Sequence, residues 1–198
     1  MVILGCCFIF AAAAFKMNNY NESEQAGKEA DKLSTQLQEM LDANAQSADS
    51  RDGDDPSLGM LDIDETEGIS TVKVGEYSVC GTISIPSIGI ELAVIDDWSY
   101  SNLHISANRF YGSPDKQLMI MAHNYARHFG KINQLSLGDE VIFTDMQGVA
   151  YHYVVSETTL LATDQLNEIV AGKDWDLTLF TCTYGGANRV VVRCSLVK

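Results

Sequence analysis

From about Val72 onward the chain is a succession of short apolar runs separated by turn residues, and no pattern between them would make more than a short helix. Thr82-Ile83-Ser84-Ile85 stops at Pro86, and Ile90 to Ile95, Leu118 to Ala122, Glu140 to Thr144, Ala150 to Thr159, Leu177 to Thr181 and Arg189 to Val197 follow. Runs of this length bounded by turn signals read as strands. The helical patterns among them, Ser99 to Ser106, Phe129 to Leu135 and Asp164 to Ala171, are brief. A doubly wound parallel sheet needs longer crossover helices. The expected fold is therefore mainly β, a closed or nearly closed barrel of about eight strands with short helices.

The region upstream has a different texture. Of the 198 residues and the net charge of −14, the stretch from Met1 to Gly75 holds fourteen acidic and five basic residues. A chain this acidic has nothing to neutralise a row of phosphates, which excludes nucleic acid as a partner. Met1 to Phe15 is uncharged and almost wholly apolar. A helix that crosses a bilayer needs ~20 such residues, so residues 1–15 read as a clipped or late-started membrane anchor. The rival is the apolar part of a cleaved signal peptide, with Ala11 to Ala14 at the cleavage site. Either reading exports the remainder. Lipoprotein processing at Cys6 is disfavoured, because more apolar chain follows where a polar tether belongs.

Residues 16–75 read as an acidic helical stalk and flexible linker. Ala26, Ala30, Leu33, Leu37 and Leu41 recur at helical spacing, as in a stalk helix at a membrane surface. Ser47 to Gly68 then turns to Asp, Ser and Gly, the composition of a solvated linker. Its aspartates lack the spacing and final Glu of a calcium loop. The rest, residues 76–198, reads as the barrel domain.

Of the five cysteines, Cys6 and Cys7 lie in the apolar segment, leaving Cys80, Cys182 and Cys194. Three is not a disulfide framework, so at least one thiol is free. Cys80 and Cys194 sit in apolar strands and read as small buried hydrophobes, with a Cys80–Cys194 disulfide the alternative.

Cys182 differs from the other two. It ends one apolar strand, and after Thr183-Tyr184-Gly185-Gly186-Ala187-Asn188 the next strand opens on Arg189. A hairpin sets the two side by side on strands ~4.8 Å apart, a nucleophile beside a fixed cation. Arg193, four residues along, falls ~13 Å away. An arginine stays protonated and cannot act as a base, but its fork of donors holds a carbonyl or an oxyanion. A thiol attacks only as thiolate and needs a partner, usually histidine. Among His104, His123, His128 and His152, only His123 ends an apolar strand, where its side chain would emerge at the barrel rim.

Ala122-His123-Asn124, Thr178-Leu179-Phe180-Thr181-Cys182 and Arg189-Val190-Val191-Val192, in this order, closely resemble the sortases, cysteine transpeptidases of Gram-positive cell surfaces. The resemblance runs from about Gly81 to Lys198 and includes Ile85-Pro86-Ser87-Ile88-Gly89-Ile90. Ala122 departs from the glycine that many members place before the histidine. The resemblance implies a sortase-type barrel, a subclass left open between B-like and D-like, and a cell-membrane enzyme with its catalytic domain outside. It implies that Cys182 attacks a threonine carbonyl in an LPxTG-like sorting signal and that His123 manages the protons. Arg189 would hold the substrate and its oxyanion, with Thr181 assisting in substrate binding. The partners implied are surface proteins or pilins bearing the signal and an amine acceptor such as a cell-wall precursor. No metal or organic cofactor is needed. Two other classes compete: another cysteine peptidase acting on wall peptides, in which the cysteine generally precedes the histidine, and a non-catalytic surface barrel.

Overall fold

A computed structural model describes the backbone of residues 2–49, 63–66, 68–165, 168–169 and 175–198, and the side chains of residues 11–44, 68–165, 168–169 and 175–198. Among the described residues ten strands form one sheet: β1 (Ile63–Thr66), β2 (Ile69–Val74), β3 (Tyr77–Ile85), β4 (Ile90–Ile95), β5 (Ala107–Tyr111), β6 (Leu118–Met121), β7 (Glu140–Asp145), β8 (Ala150–Ala162), β9 (Leu177–Cys182) and β10 (Asn188–Leu196). The strand order is β1-β2-β3-β4-β5-β6-β9-β10-β8-β7, and a further pairing of β7 with β3 closes the last eight into a barrel. That is the mainly β, eight-stranded closed barrel expected from the run pattern.

Strand β3 pairs with β4 along one edge and serves two partners in turn along the other. Its first half pairs with β2, Val72 opposite Val79, and its second half with β7, from Gly81 opposite Asp145 to Ser84 opposite Ile142. The register shifts between Val79 and Gly81, where the strand bends from one neighbour to the other. Only glycine suits the bend, because a Cβ at position 81 would run into the Phe143 ring and lie 2.5 Å from the Thr144 carbonyl oxygen.

Two pairings are parallel, β4 with β5 and β6 with β9. The second decides where chemistry can occur. Because β6 and β9 run in the same direction, both end at the same mouth of the barrel, and β10, antiparallel to β9, begins there. Inside, alternate residues such as Leu118, Ile120, Leu177, Leu179, Val190 and Val192 are buried with Phe143 and Tyr153. Each such side chain contributes about 1.5–3 kcal/mol on removal from water.

The upstream region is more tightly joined to the barrel than its composition suggests. Helix α1 runs from Val2 to Asp49. Leu33 and Leu37 are buried with Val72, Val74, Val79, Ala93, Ile95 and Met146, so this stripe packs on the outer face of β2, β3 and β4. Arg127 pins the same helix through a bidentate contact to Asp31 (2.7 and 2.8 Å). The stalk expectation is corrected here: the stripe docks on the barrel because the sheet offers an apolar face that a free stalk would leave wet. The boundary at residues 75 and 76 is likewise corrected, since β1 and β2 belong to the sheet. Strand β5 escaped the run pattern because it carries Asn108 and Arg109, both buried, with Arg109 paired to Asp96 at 2.6 Å. Cys80 and Cys194 are buried free thiols, so the disulfide alternative falls.

No helix among the described residues is long and apolar enough to cross a membrane. The expected anchor lies largely outside the described side chains, and the aspartate cluster from Asp52 to Pro56 lies outside the described residues.

Candidate active site

The β9–β10 ladder places Arg189 directly opposite Cys182. Across the parallel ladder, Met121 is level with Phe180, and the Ala122 N–H donates to the Phe180 carbonyl at 3.4 Å. The Thr181 hydroxyl donates to the Ala122 carbonyl at 2.8 Å, and the Asn124 side-chain amide donates to the Thr183 carbonyl at 3.3 Å. Between those two contacts, His123 follows Ala122 as Cys182 follows Thr181. The three residues singled out from sequence thus meet at one mouth of the barrel.

Cys182 is a half-buried free thiol. It lines a cavity of about 260 Å³ with Asn124, Asn133, Thr183 and Tyr184. Alternation puts Cys182 and Phe180 on the outer face of β9, while Thr181 points inward and is buried. Phe180 belongs to an apolar outer cluster with Met119, Leu161, Ile169 and Val191, against which Met121 and Phe110 pack. Its ring meets Phe110 edge to face at 5.4 Å. This buried cluster thus begins two residues before the thiol on the same face of β9, and Ile169, from the connection between β8 and β9, belongs to it.

His123 is half-buried, with its ring stacked on Tyr125 at 4.6 Å and 4.7 Å from the ring of His104. His104 follows a short helix, α2 (Tyr100–Leu103), and its Nδ1 meets the Tyr125 hydroxyl at 3.0 Å. Burial, and after it the positive charge His104 would carry, holds the His123 imidazole below its ordinary range. A hydrogen bond with Asn124 and the Glu22 carboxylate on α1 oppose the shift. The ring is thus neutral at pH 7 and able to take a proton.

His128 is fully buried, and burial drives its pKa down to about 4 against the opposing effect of a backbone hydrogen bond with Ala26. His152 pairs with Glu140 at 2.9 Å on β8 and β7, away from this mouth. Sequence position identified His123 but gave no sign that His104 and Glu22 would reach it from separate elements, or that Tyr125 of its own loop would stack on it.

The Arg189 guanidinium lies along its own turn, one terminal nitrogen donating to the Gly186 carbonyl at 3.0 Å and the Asn188 carbonyl at 3.1 Å. Gly185 and Gly186, at φ of 88° and 75°, give that turn a backbone that side chains rarely adopt. Arg193 is engaged elsewhere: it donates to the Glu168 carbonyl at 2.9 Å and lies over the Trp175 ring at 5.7 Å. Thr181, expected to bind substrate, uses its donor to tie β9 to the exit of β6.

The fold and site define a closed β-barrel protein with a thiol, an imidazole and a guanidinium near one mouth. Residues 83–197 match the sortase domain family model, and this chain belongs to the sortase family. Membership supports a transpeptidase role. A curated relative, sortase A of Listeria monocytogenes, is 29% identical over 111 residues, which make up 53% of this chain and 50% of that protein. The chain thus spans about half the length of that relative. Among solved structures, Listeria monocytogenes sortase A superposes with a TM-score of 0.55 at 24% identity, covering 61% of this chain and 88% of that one. A Clostridium perfringens sortase D5 transpeptidase reaches 0.58 at 16% identity over 86% and 97%. At these identities the two structures speak to the fold alone.

Proposed function

We propose that this protein is a cysteine transpeptidase that cleaves an LPxTG-like sorting signal and transfers the acyl part to an amine. The observation that carries the reading is the cross-strand pair of Cys182 and Arg189, with His123 beside them at the end of the neighbouring parallel strand.

Cys182 passes its proton to the neutral His123 imidazole, and the sulfur attacks the threonine carbonyl carbon. The carbon–nitrogen bond breaks as His123 returns the proton to the departing amine, leaving a thioester on Cys182. An incoming amine attacks the thioester and gives a proton to His123, which restores the thiol. Arg189, released from the carbonyls of Gly186 and Asn188, stabilises the oxyanion in both steps. The cavity that Cys182 lines with Asn124, Asn133, Thr183 and Tyr184 receives the residues of the signal beside the scissile bond. In this reading the donors are surface proteins or pilins and the acceptor is a cell-wall precursor or a second pilin. Residues 1–15 tether the enzyme to the cell membrane with the barrel outside.

The test is to incubate the protein with LPxTG-type peptides and an amine and to seek, by mass, both the transfer product and a thioester on Cys182. Cleavage that survives Cys182→Ala would sink the mechanism. Hydrolysis with no amine incorporation would identify a peptidase, and a wild-type thiol inert to peptide libraries and vinyl sulfone probes would identify a non-catalytic barrel.

A further inference from the structure

Strand β6 ends at Met121, whereas β9 continues to Cys182. Past Ala122 no backbone ladder holds the two chains together, and the His123 carbonyl instead accepts from the Phe129 N–H at 3.0 Å, within its own loop. The spacing of imidazole and thiol therefore depends on side chains. Two hydrogen bonds bracket that level in opposite senses: Thr181 of β9 donates to the Ala122 carbonyl at 2.8 Å, and Asn124 of the histidine loop donates to the Thr183 carbonyl at 3.3 Å. The Thr183 carbonyl also accepts from the Gly186 N–H at 2.9 Å, and the Gly186 carbonyl accepts from Arg189. Asn124 thus ties the loop of His123 to the turn that follows Cys182 and holds the Arg189 guanidinium.

We propose that Asn124 is a positioning residue: its carboxamide clamps the His123 loop to the Cys182 turn and, through its oxygen, orients the imidazole towards the thiol. The amide nitrogen serves the first task and the amide oxygen the second, so a residue with only one of these groups separates them. The proposal rests on the reading of Cys182 as the nucleophile.

Asn124→Ala is expected to lower kcat for transfer ~10- to 100-fold with KM for the peptide nearly unchanged, since small misplacements of reacting groups cost factors of this size. A second readout needs no turnover: NMR titration of the His123 ring in a Cys182→Ala background. There Asn124→Ala should lower the midpoint, because an acceptor for the imidazolium N–H is gone. Asn124→Asp should restore or raise the midpoint yet leave kcat low, since it has no N–H for the Thr183 carbonyl. The other groups facing the ring are His104 after α2, Tyr125 and His128 in its own loop and Glu22 on α1. His104→Ala and Glu22→Gln serve as references for the size of the shift. An unchanged midpoint in Asn124→Ala, or wild-type kcat in Asn124→Asp, overturns the proposal. A shifted midpoint in a protein whose wild-type form makes no thioester would retire the transpeptidase reading and leave the clamp standing.

Discussion

Cys182 and Arg189 are direct partners across the β9–β10 ladder, yet the guanidinium lies on the carbonyls of Gly186 and Asn188. The cation is held by the same turn that aligns the pair. Reaching an oxyanion requires exchanging those carbonyls for a more negative oxygen, which pairs more strongly with the guanidinium. Arg189→Lys keeps the charge and loses the planar fork. Turnover should fall ~100-fold or more with the melting temperature unchanged, and a near wild-type rate would remove Arg189 from the mechanism.

Arg193 makes the complementary case. Its contacts are the Glu168 carbonyl, the Trp175 ring and Glu157 at 3.7 Å. Arg193→Lys should leave turnover close to wild type and cost on the order of 1 kcal/mol of stability, read from denaturant unfolding.

Thr181 is buried with its hydroxyl on the Ala122 carbonyl. Thr181→Val keeps the shape and leaves that carbonyl without its partner, a loss of about 1–3 kcal/mol. Thr181→Ser retains the bond and should retain most of the activity. Equal behaviour of the two variants in unfolding and turnover would show that the hydroxyl has no part in holding the strand ends.

The pH profile follows from His123, held below 6.5 by burial first and His104 second. Its protonation sets an acid limb of kcat/KM below pH 6.5. His104→Ala opens the ring to solvent and removes a cation, so the limb should move to higher pH. A limb that moves down, or not at all, would show that the two rings are not coupled.

Stability against acid depends on His128, neutral in the fold down to about pH 4 and protonated in the unfolded chain below about 6.5. Because the unfolded chain binds the extra proton, stability is full above pH 6.5 and falls as pH drops towards 4, by roughly 3 kcal/mol. His128→Phe should flatten that slope, measured as unfolding free energy at pH 7 and pH 4.5.

Much of this protein was legible from residue pattern. Short apolar runs with short helices between them pointed to a barrel, and a cysteine and an arginine flanking a hairpin turn face one another because an antiparallel register is set locally. Other features depend on partners distant in sequence. The helical stripe of Leu33 and Leu37 reads the same whether it meets a membrane, a partner or the barrel, and only the apolar outer face of β2 to β4 decided among them. The polar residues of β5 hid a strand because Arg109 is buried on the strength of its bond to Asp96.

What the sequence by itself determined is the set of chemical groups, their order and the local hairpin that pairs thiol with cation. The tertiary structure decided what surrounds them. Parallel pairing of β6 with β9 carries His123 to the level of Cys182, and His104 and Glu22 then converge on its ring from two separate stretches of chain, beside Tyr125 of its own loop. The division has a physical cause: strand and turn preferences act over a few neighbouring residues, whereas burial, ring stacking and charge act through space between elements that only the closed barrel brings together.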